Sequence, residues 1–351
     1  MIRVLVADDS PTARALLVQI LSSDPEIRVV GEARNGVEAV EMTRRIKPDL
    51  VTMDVHMPQM DGLEATREIM ATAPTPIVIV TGSTQAREVE SSMATLRLGA
   101  LDVLVKPPSP DAPGFEAAAR DLVAMVKAMA QVKVVRHWRP SSPAVPKAPP
   151  SRPTAPGRVR AGSEPSHRQV VAVATSTGGP GALHKLLLGL PPDFGFPIVA
   201  VQHITPGFTA GLAAWLGSVC PVRVKVAQEG EVLRPGTAYL APDDCHLGVS
   251  IRGAVALSDA PPVGGFRPSG TFLFESVARA YGGTAVAVIL TGMGDDGVEG
   301  LRAVRRAGGL IVAQDEATSV IFGMPGAAIA AGLADAVLPI GAIAPYLVNE
   351  A

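Results

Sequence analysis

Three side chains in the second half of the chain could together cleave an ester: Ser176, His203 and Asp296. A hydroxyl is a weak nucleophile until a base takes its proton, and an imidazole is a poor base until a carboxylate fixes its tautomer. Ser176 follows the run Val170-Val171-Ala172-Val173-Ala174-Thr175 and opens the turn Thr177-Gly178-Gly179. Such a β-branched run reads as a buried parallel strand. The serine then falls at a strand's carboxyl end, just before a helix, with backbone N–H groups near its hydroxyl. A helix N-cap explains most serines so placed. Neither G-x-G-x-x-G nor G-x-x-x-x-G-K-[ST] fits, and the elbow G-x-S-x-G is met only in part, because Ala174 replaces its first glycine. His203 comes two residues after Val201, the end of an apolar run, which favours it over His246 as the base. Asp295 and Asp315 compete with Asp296 to orient the histidine. His184 falls in the helix after Ser176 and is expected to face solvent. Gly292-Met293-Gly294 can bend tightly and aim backbone N–H groups at an oxyanion.

A second set of groups lies in the first third. Asp8 and Asp9 follow one predicted strand, Asp54 ends another, and Thr81 and Lys106 stand at the ends of two more. Carboxylates converging on one edge repel each other unless a cation sits among them, and an oxygen-rich set with room for water and phosphate suits Mg²⁺. Lys106 adds a mobile positive charge and Thr81 a hydroxyl, both matched to a phosphoryl oxygen.

The elements that must position these groups alternate between strand and helix patterns. Strands are predicted from Ile2, Ile27, Leu50, Ile77 and Val103, each followed by an amphipathic helix, with the last helix over Phe115–Met129. The alternation resumes at Val170, is interrupted by a turn-rich stretch from Val232 to Leu257 read as an antiparallel excursion, and ends with a helix starting near Pro325. The fold class is α/β, with two doubly wound domains over residues 1–130 and 168–351 and sites at the carboxyl ends of parallel strands. Between them, residues 131–167 are rich in proline and arginine, contain His137 and His167, and read as a semi-extended tether.

Composition narrows the function classes. With 47% hydrophobic and 18% charged residues and a net charge of -2, the chain is globular, and nothing global points to nucleic acid or a membrane surface. Cys220 and Cys245 make no CxxC and read as buried thiols in a reducing compartment. The amino terminus reads as a strand rather than a signal peptide, and no apolar run reaches the ~20 residues of a membrane span. A cytoplasmic protein without membrane insertion is expected.

Residues 1–125 resemble a response-regulator receiver domain, on Asp8-Asp9, Met53-Asp54-Val55-His56-Met57-Pro58-Gln59-Met60-Asp61-Gly62, Thr81 and Lys106-Pro107. The resemblance implies a flavodoxin-like fold in which Asp54 accepts a phosphoryl group from a histidine kinase. Asp8, Asp9 and Asp54 would hold Mg²⁺, and Thr81 and Lys106 would report the change. Val103 stands where many receivers carry an aromatic switch, so signalling through an aromatic rotamer cannot operate here.

Residues 168–351 resemble the catalytic domain of the chemotaxis protein-glutamate methylesterases, the CheB family, a parallel-sheet, Rossmann-like esterase domain. The resemblance rests on Ser176-Thr177-Gly178-Gly179, Val201-Gln202-His203, Arg267-Pro268-Ser269, Thr291-Gly292-Met293-Gly294-Asp295-Asp296-Gly297 and Ala313-Gln314-Asp315-Glu316. It implies a Ser176–His203–Asp296 triad, oxyanion N–H groups at Met293 and Thr177, and substrate-side roles for Arg267 and Ser269. No cofactor is expected for the esterase step, Mg²⁺ serving receiver phosphorylation alone. The implied substrates are methylated glutamates, and also glutamines, of methyl-accepting chemoreceptors, acted on by a monomer. Ala174, Ile204 and Phe266 depart from the family pattern; Phe266 stands where histidine often precedes Arg-Pro-Ser, a departure expected to leave the chemistry alone and to bear on the substrate-side contacts. The rival readings are a non-catalytic two-component adaptor and a receiver with a DNA-binding output. The intact Ser/His/Asp set argues against the first, and the lack of a helix-turn-helix pattern or basic domain against the second.

Overall fold

The apolar runs of the first domain become five parallel strands: β1 (Ile2–Ala7), β2 (Ile27–Ala33), β3 (Leu50–Met53), β4 (Ile77–Thr81) and β5 (Asp102–Val105), in spatial order β2-β1-β3-β4-β5. The computed structural model describes residues 1–82, 84–132 and 169–350. Helices α1 (Pro11–Ser22), α2 (Gly36–Ile46), α3 (Gly62–Thr72), α4 (Ala86–Arg97) and α5 (Phe115–Met129) connect and follow the strands. Three of them start where a side chain can satisfy a free N–H group: Ser10, Asn35 and Asp61 accept from Ala13, Glu38 and Glu64. The proposed linker lies outside the described residues apart from Gln131 and Val132, as do His137 and His167.

The second domain is built on seven parallel strands. They are β6 (Val170–Thr175), β7 (Ile198–Gln202), β8 (Arg223–Val226), β9 (Thr237–Leu240), β12 (Ala285–Ile289), β13 (Leu310–Gln314) and β14 (Ala336–Leu338), ordered β14-β13-β12-β6-β7-β9-β8. Helices α6 (Gly179–Leu188), α7 (Thr209–Val219), α8 (Gly270–Tyr281), α9 (Val298–Arg306), α10 (Met324–Ala330) and α11 (Ile340–Glu350) complete it. β10 (His246–Val249) and β11 (Val255–Ser258) form a separate antiparallel pair.

The expected antiparallel excursion is therefore half right. β9 is no part of it: Ala238, Tyr239 and Leu240 pair in parallel with β7 and β8 and are buried. A four-residue apolar run carries no periodicity that distinguishes the two arrangements. Two further expectations fail on burial. Both cysteines are only partly buried, and burial still pushes the Cys220 thiol up to about 11. His184 does not simply face solvent; its ring lies 5.3 Å from that of Trp215.

The strand order places the site. From the central β6 the chain moves one way to β7, β8 and β9, then crosses back to β12 on the other side of β6. The carboxyl end of β6 is thus the topological switch point, where an open parallel sheet leaves a crevice. Ser176 stands there, with His203 following β7 and the Thr291–Asp296 loop following β12.

The two domains pack directly on each other. One hydrophobic cluster runs from Val89 and Met93 of α4 into Phe208, Leu212 and the second-domain core. Arg97 lies over the Trp215 ring at 5.9 Å, and Thr205 Oγ1 donates to Val103 O at 3.4 Å. Val320 and Ile321 of the second domain pack against the first-domain cluster containing Val80 and Leu122. No helix among the described residues is long and apolar enough to cross a membrane.

Candidate active site and phosphoryl-acceptor site

Backbone hydrogen bonds fix the three strand ends to one another. Ser176 N–H donates to Thr291 O at 3.0 Å, and His203 N–H to Thr175 O at 2.9 Å. Gln202, at the end of a buried strand, donates from Nε2 to Ser176 O at 2.7 Å and His203 O at 2.8 Å, tying the backbones of both residues with one amide. Sequence reasoning gave Gln202 no role; the available signal was a lone polar residue closing a fully apolar strand. Gly292 lets the β12 loop come close: a Cβ there would strike Met324 Sδ and lie 2.7 Å from Ser176 Cβ.

His203 Nε2 is 2.9 Å from Asp296 Oδ2, while Nδ1 is buried without a hydrogen-bond partner among the described residues. Asp296 is heavily supported. Ser269 Oγ donates to it at 2.8 Å, Gly270 N–H at 2.6 Å, Thr271 N–H at 3.1 Å and Gly297 N–H at 2.9 Å. Three of these donors belong to the amino-terminal end of α8, which favours negative charge. Burial alone would raise the Asp296 carboxyl, but the bond and charge of His203, with the Gly270 and Ser269 donors, hold it down at about 2. It remains a carboxylate at any pH where an imidazole acts as a base.

The competitors drop out on geometry. His246 is fully buried, sits 3.2 Å from Pro261 O through Nε2, and stacks on Phe272 at 4.5 Å. Asp295 is exposed, and Asp315 accepts from the Thr318 N–H and hydroxyl within its own turn. The substrate-side assignment of Ser269 is corrected: the residue has no exposure and its hydroxyl is committed to Asp296. Arg267 is held by Asp244 at 2.7 Å and by the carbonyls of Asp259 and Ala260. Met293 is exposed on the loop, and Thr177 is buried with its carbonyl accepting from Thr291 Oγ1 at 3.0 Å.

The first-domain site also assembles. Carboxylate oxygens of Asp8, Asp9 and Asp54 lie within 4.8 Å of one another, and Lys106 Nζ is 2.8 Å from both Asp8 and Asp54. Burial and the Asp8 charge raise the Asp54 carboxyl, outweighing Lys106. Burial would lower the Lys106 ammonium, but its two carboxylate partners raise it. Thr81 is buried at the end of β4, and its carbonyl accepts from Lys106 N–H at 2.7 Å. This all-oxygen donor set, with one member exposed, fits a hard divalent cation such as Mg²⁺.

The domain contact reaches the first of these sites. Asp102, at the start of β5, accepts from the N–H groups of Val103 and Gly178, the latter two residues beyond Ser176. Burial pushes its carboxyl up to about 7 against those two donors. Relative to the unfolded chain, a raised carboxyl stabilises the fold while protonated, a contribution complete below about pH 4 and lost as the pH rises through about 7. Asp102→Asn, permanently neutral, should not lose it. From pH 6 to 8 the native chain should lose up to about 1.4 kcal/mol of stability relative to this variant, read from the urea unfolding of both. A constant difference over that range would deny Asp102 a raised carboxyl.

Fold and sites define a class: a phosphoryl-accepting receiver type of domain in front of an α/β domain with a Ser/His/Asp crevice. Comparison with known proteins agrees. Family models described as CheB methylesterase and response regulator receiver domain match residues 171–347 and 4–112. The protein-glutamate methylesterase/protein-glutamine glutaminase 4 of Myxococcus xanthus is 54% identical over 349 residues, covering 99% of this chain and 96% of that one. The enzyme of the same name numbered 3 in Anaeromyxobacter dehalogenans is 56% identical over 348 residues, covering 99% and 98%. The crystal structure of the Thermotoga maritima CheB methylesterase catalytic domain superposes with a TM-score of 0.52 at 40% identity, covering 52% of this chain and 99% of that one. The chain belongs to the CheB methylesterase family.

Proposed function

We propose that this protein is a phosphorylation-activated serine esterase that removes methyl groups from glutamate methyl esters of chemoreceptors and deamidates receptor glutamines. The observation that carries the reading is the His203–Asp296 pair, 2.9 Å apart, beside Ser176 at the switch point of the sheet. Because Asp296 engages Nε2, Nδ1 is the nitrogen that receives the Ser176 proton. The Ser176 oxygen attacks the ester carbonyl, and backbone N–H groups at Met293 and Thr177 face the oxyanion. The proton held on His203 passes to the departing methoxide, releasing methanol, and water then frees the acyl-serine by the reverse relay. With glutamine the leaving group is ammonia and the residues act alike.

Control comes from the first domain. Asp54 takes the phosphoryl group from a histidine kinase; Asp8, Asp9 and Asp54 would hold Mg²⁺, which would supply charge neutralisation there. Lys106, now bridging Asp8 and Asp54, turns to the phosphoryl oxygens with Thr81. Docked as it is, the receiver lies against Gly178 and the Val320–Ile321 segment beside the crevice and keeps a receptor helix away from Ser176. Phosphorylation relieves that occlusion. Asp54→Asn should take up no phosphate from acetyl phosphate with Mg²⁺ while retaining basal esterase activity, since the esterase residues lie in the other domain. Stoichiometric phosphate on this variant would place the acceptor elsewhere.

A further inference from the structure

Phe266 stands directly against the imidazole of His203: the two rings are 4.1 Å apart between centroids and only 4° from parallel. The sequence alone assigned Phe266 no part in the chemistry, and nothing in the spacing placed it against His203. Its ring belongs to none of the three hydrophobic clusters among the described residues, so core packing does not account for its place. The loop that carries it is built for aim. Val263 and Phe266 exchange both backbone hydrogen bonds at 3.0 Å across the two-residue turn Gly264-Gly265, whose φ values are +60° and +88°. Two successive positive φ angles are the signature of a tight type I′ hairpin, which glycine enters without strain. On one side the next residue, Arg267, is clamped by Asp244 and by the carbonyls of Asp259 and Ala260. Two residues further on, Ser269 is bonded to Asp296 itself.

The contact answers a mechanical need. A single hydrogen bond from Nε2 to Asp296 fixes one atom of the imidazole and leaves the ring free to rock about it. The proton relay proposed above needs Nδ1 to reach the Ser176 hydroxyl; rocking would carry it off that line, and small misplacements of a catalytic group are expensive. A flat face lying parallel at van der Waals distance removes that freedom. Phenylalanine also has no hydrogen-bonding atom, so it holds the ring without competing with the serine for Nδ1.

We infer that Phe266 is a positioning residue for catalysis: its stacked ring holds the His203 imidazole in the plane that presents Nδ1 to Ser176. The inference rests on the esterase reading above. It predicts that Phe266→Leu, tested in the phosphodonor-activated full chain, lowers kcat about tenfold on a small activated ester with KM little changed. Phe266→Tyr, which restores a flat ring, should bring kcat back to within about twofold of the native chain. In a His203→Ala background Phe266→Leu should have no further effect, because the group it positions is gone. The His203 ring protons should be shifted upfield in the native chain and in Phe266→Tyr, and relax toward ordinary values in Phe266→Leu.

A Phe266→Leu enzyme with native kcat would overturn the inference. So would a loss in that variant that persists in the His203→Ala background or is not rescued by tyrosine, either of which would mark a general disturbance of the loop. A native chain that hydrolyses no ester would overturn the esterase reading and with it the catalytic role of the stack. The ring shift would still report, by itself, whether the stack exists.

Discussion

Ser176→Ala is expected to lower methanol release from methylated receptor by about 10⁴-fold or more, since the hydroxyl is the group that forms the covalent intermediate. The fold should survive. Ser176 is held through its backbone, by N–H to Thr291 and by its carbonyl from Gln202, and alanine preserves both bonds and the Cβ that packs near Gly292. Methanol release against time and the thermal unfolding midpoint of the same preparation separate the two effects. Near-native turnover, or a collapsed midpoint with proportional loss, would deny Ser176 the nucleophile's part.

His203→Ala should be about as damaging as the serine change, and His246→Ala should differ from it in kind. His203 bonds the buried carboxylate of Asp296, whereas His246 is sealed in the interior against Phe272 with a backbone carbonyl as its partner. Truncating so buried a ring should destabilise the fold by about 2–4 kcal/mol and leave the kcat of the folded fraction close to native. The pair of variants is read in kcat and in midpoint. A severe kcat loss at His246 with a mild one at His203 would exchange the two histidines.

Both sheets could be read from the chain because parallel strands buried on two faces leave unbroken apolar runs, as Val170–Ala174 and Ile77–Val80 do. The site could be read because such sheets expose chemistry at carboxyl ends, so that Ser176, His203, Asp54 and Lys106 stood out as polar residues closing apolar runs. What stayed hidden depends on distance in space. No spacing rule says that β9 slips between β7 and β8, or that Ser269 turns inward to Asp296. The Phe266 ring is the sharpest case. It lies 63 positions along the chain from His203, in a short hairpin whose only local signal was Gly264-Gly265, and that signal predicts a turn without saying what the turn faces.

The central claim, that phosphorylation at Asp54 opens an ester-cleaving site to receptor, is tested most directly by methanol release. Methylated receptor in membranes would be mixed with the full chain, with and without acetyl phosphate and Mg²⁺. A coupling of about 1–3 kcal/mol between phosphorylation and undocking predicts a ~5–150-fold rise on receptor, with a much smaller change on a nitrophenyl ester that the docked receiver does not exclude. Methanol release that is absent, or unchanged while Asp54 is demonstrably phosphorylated, would contradict it.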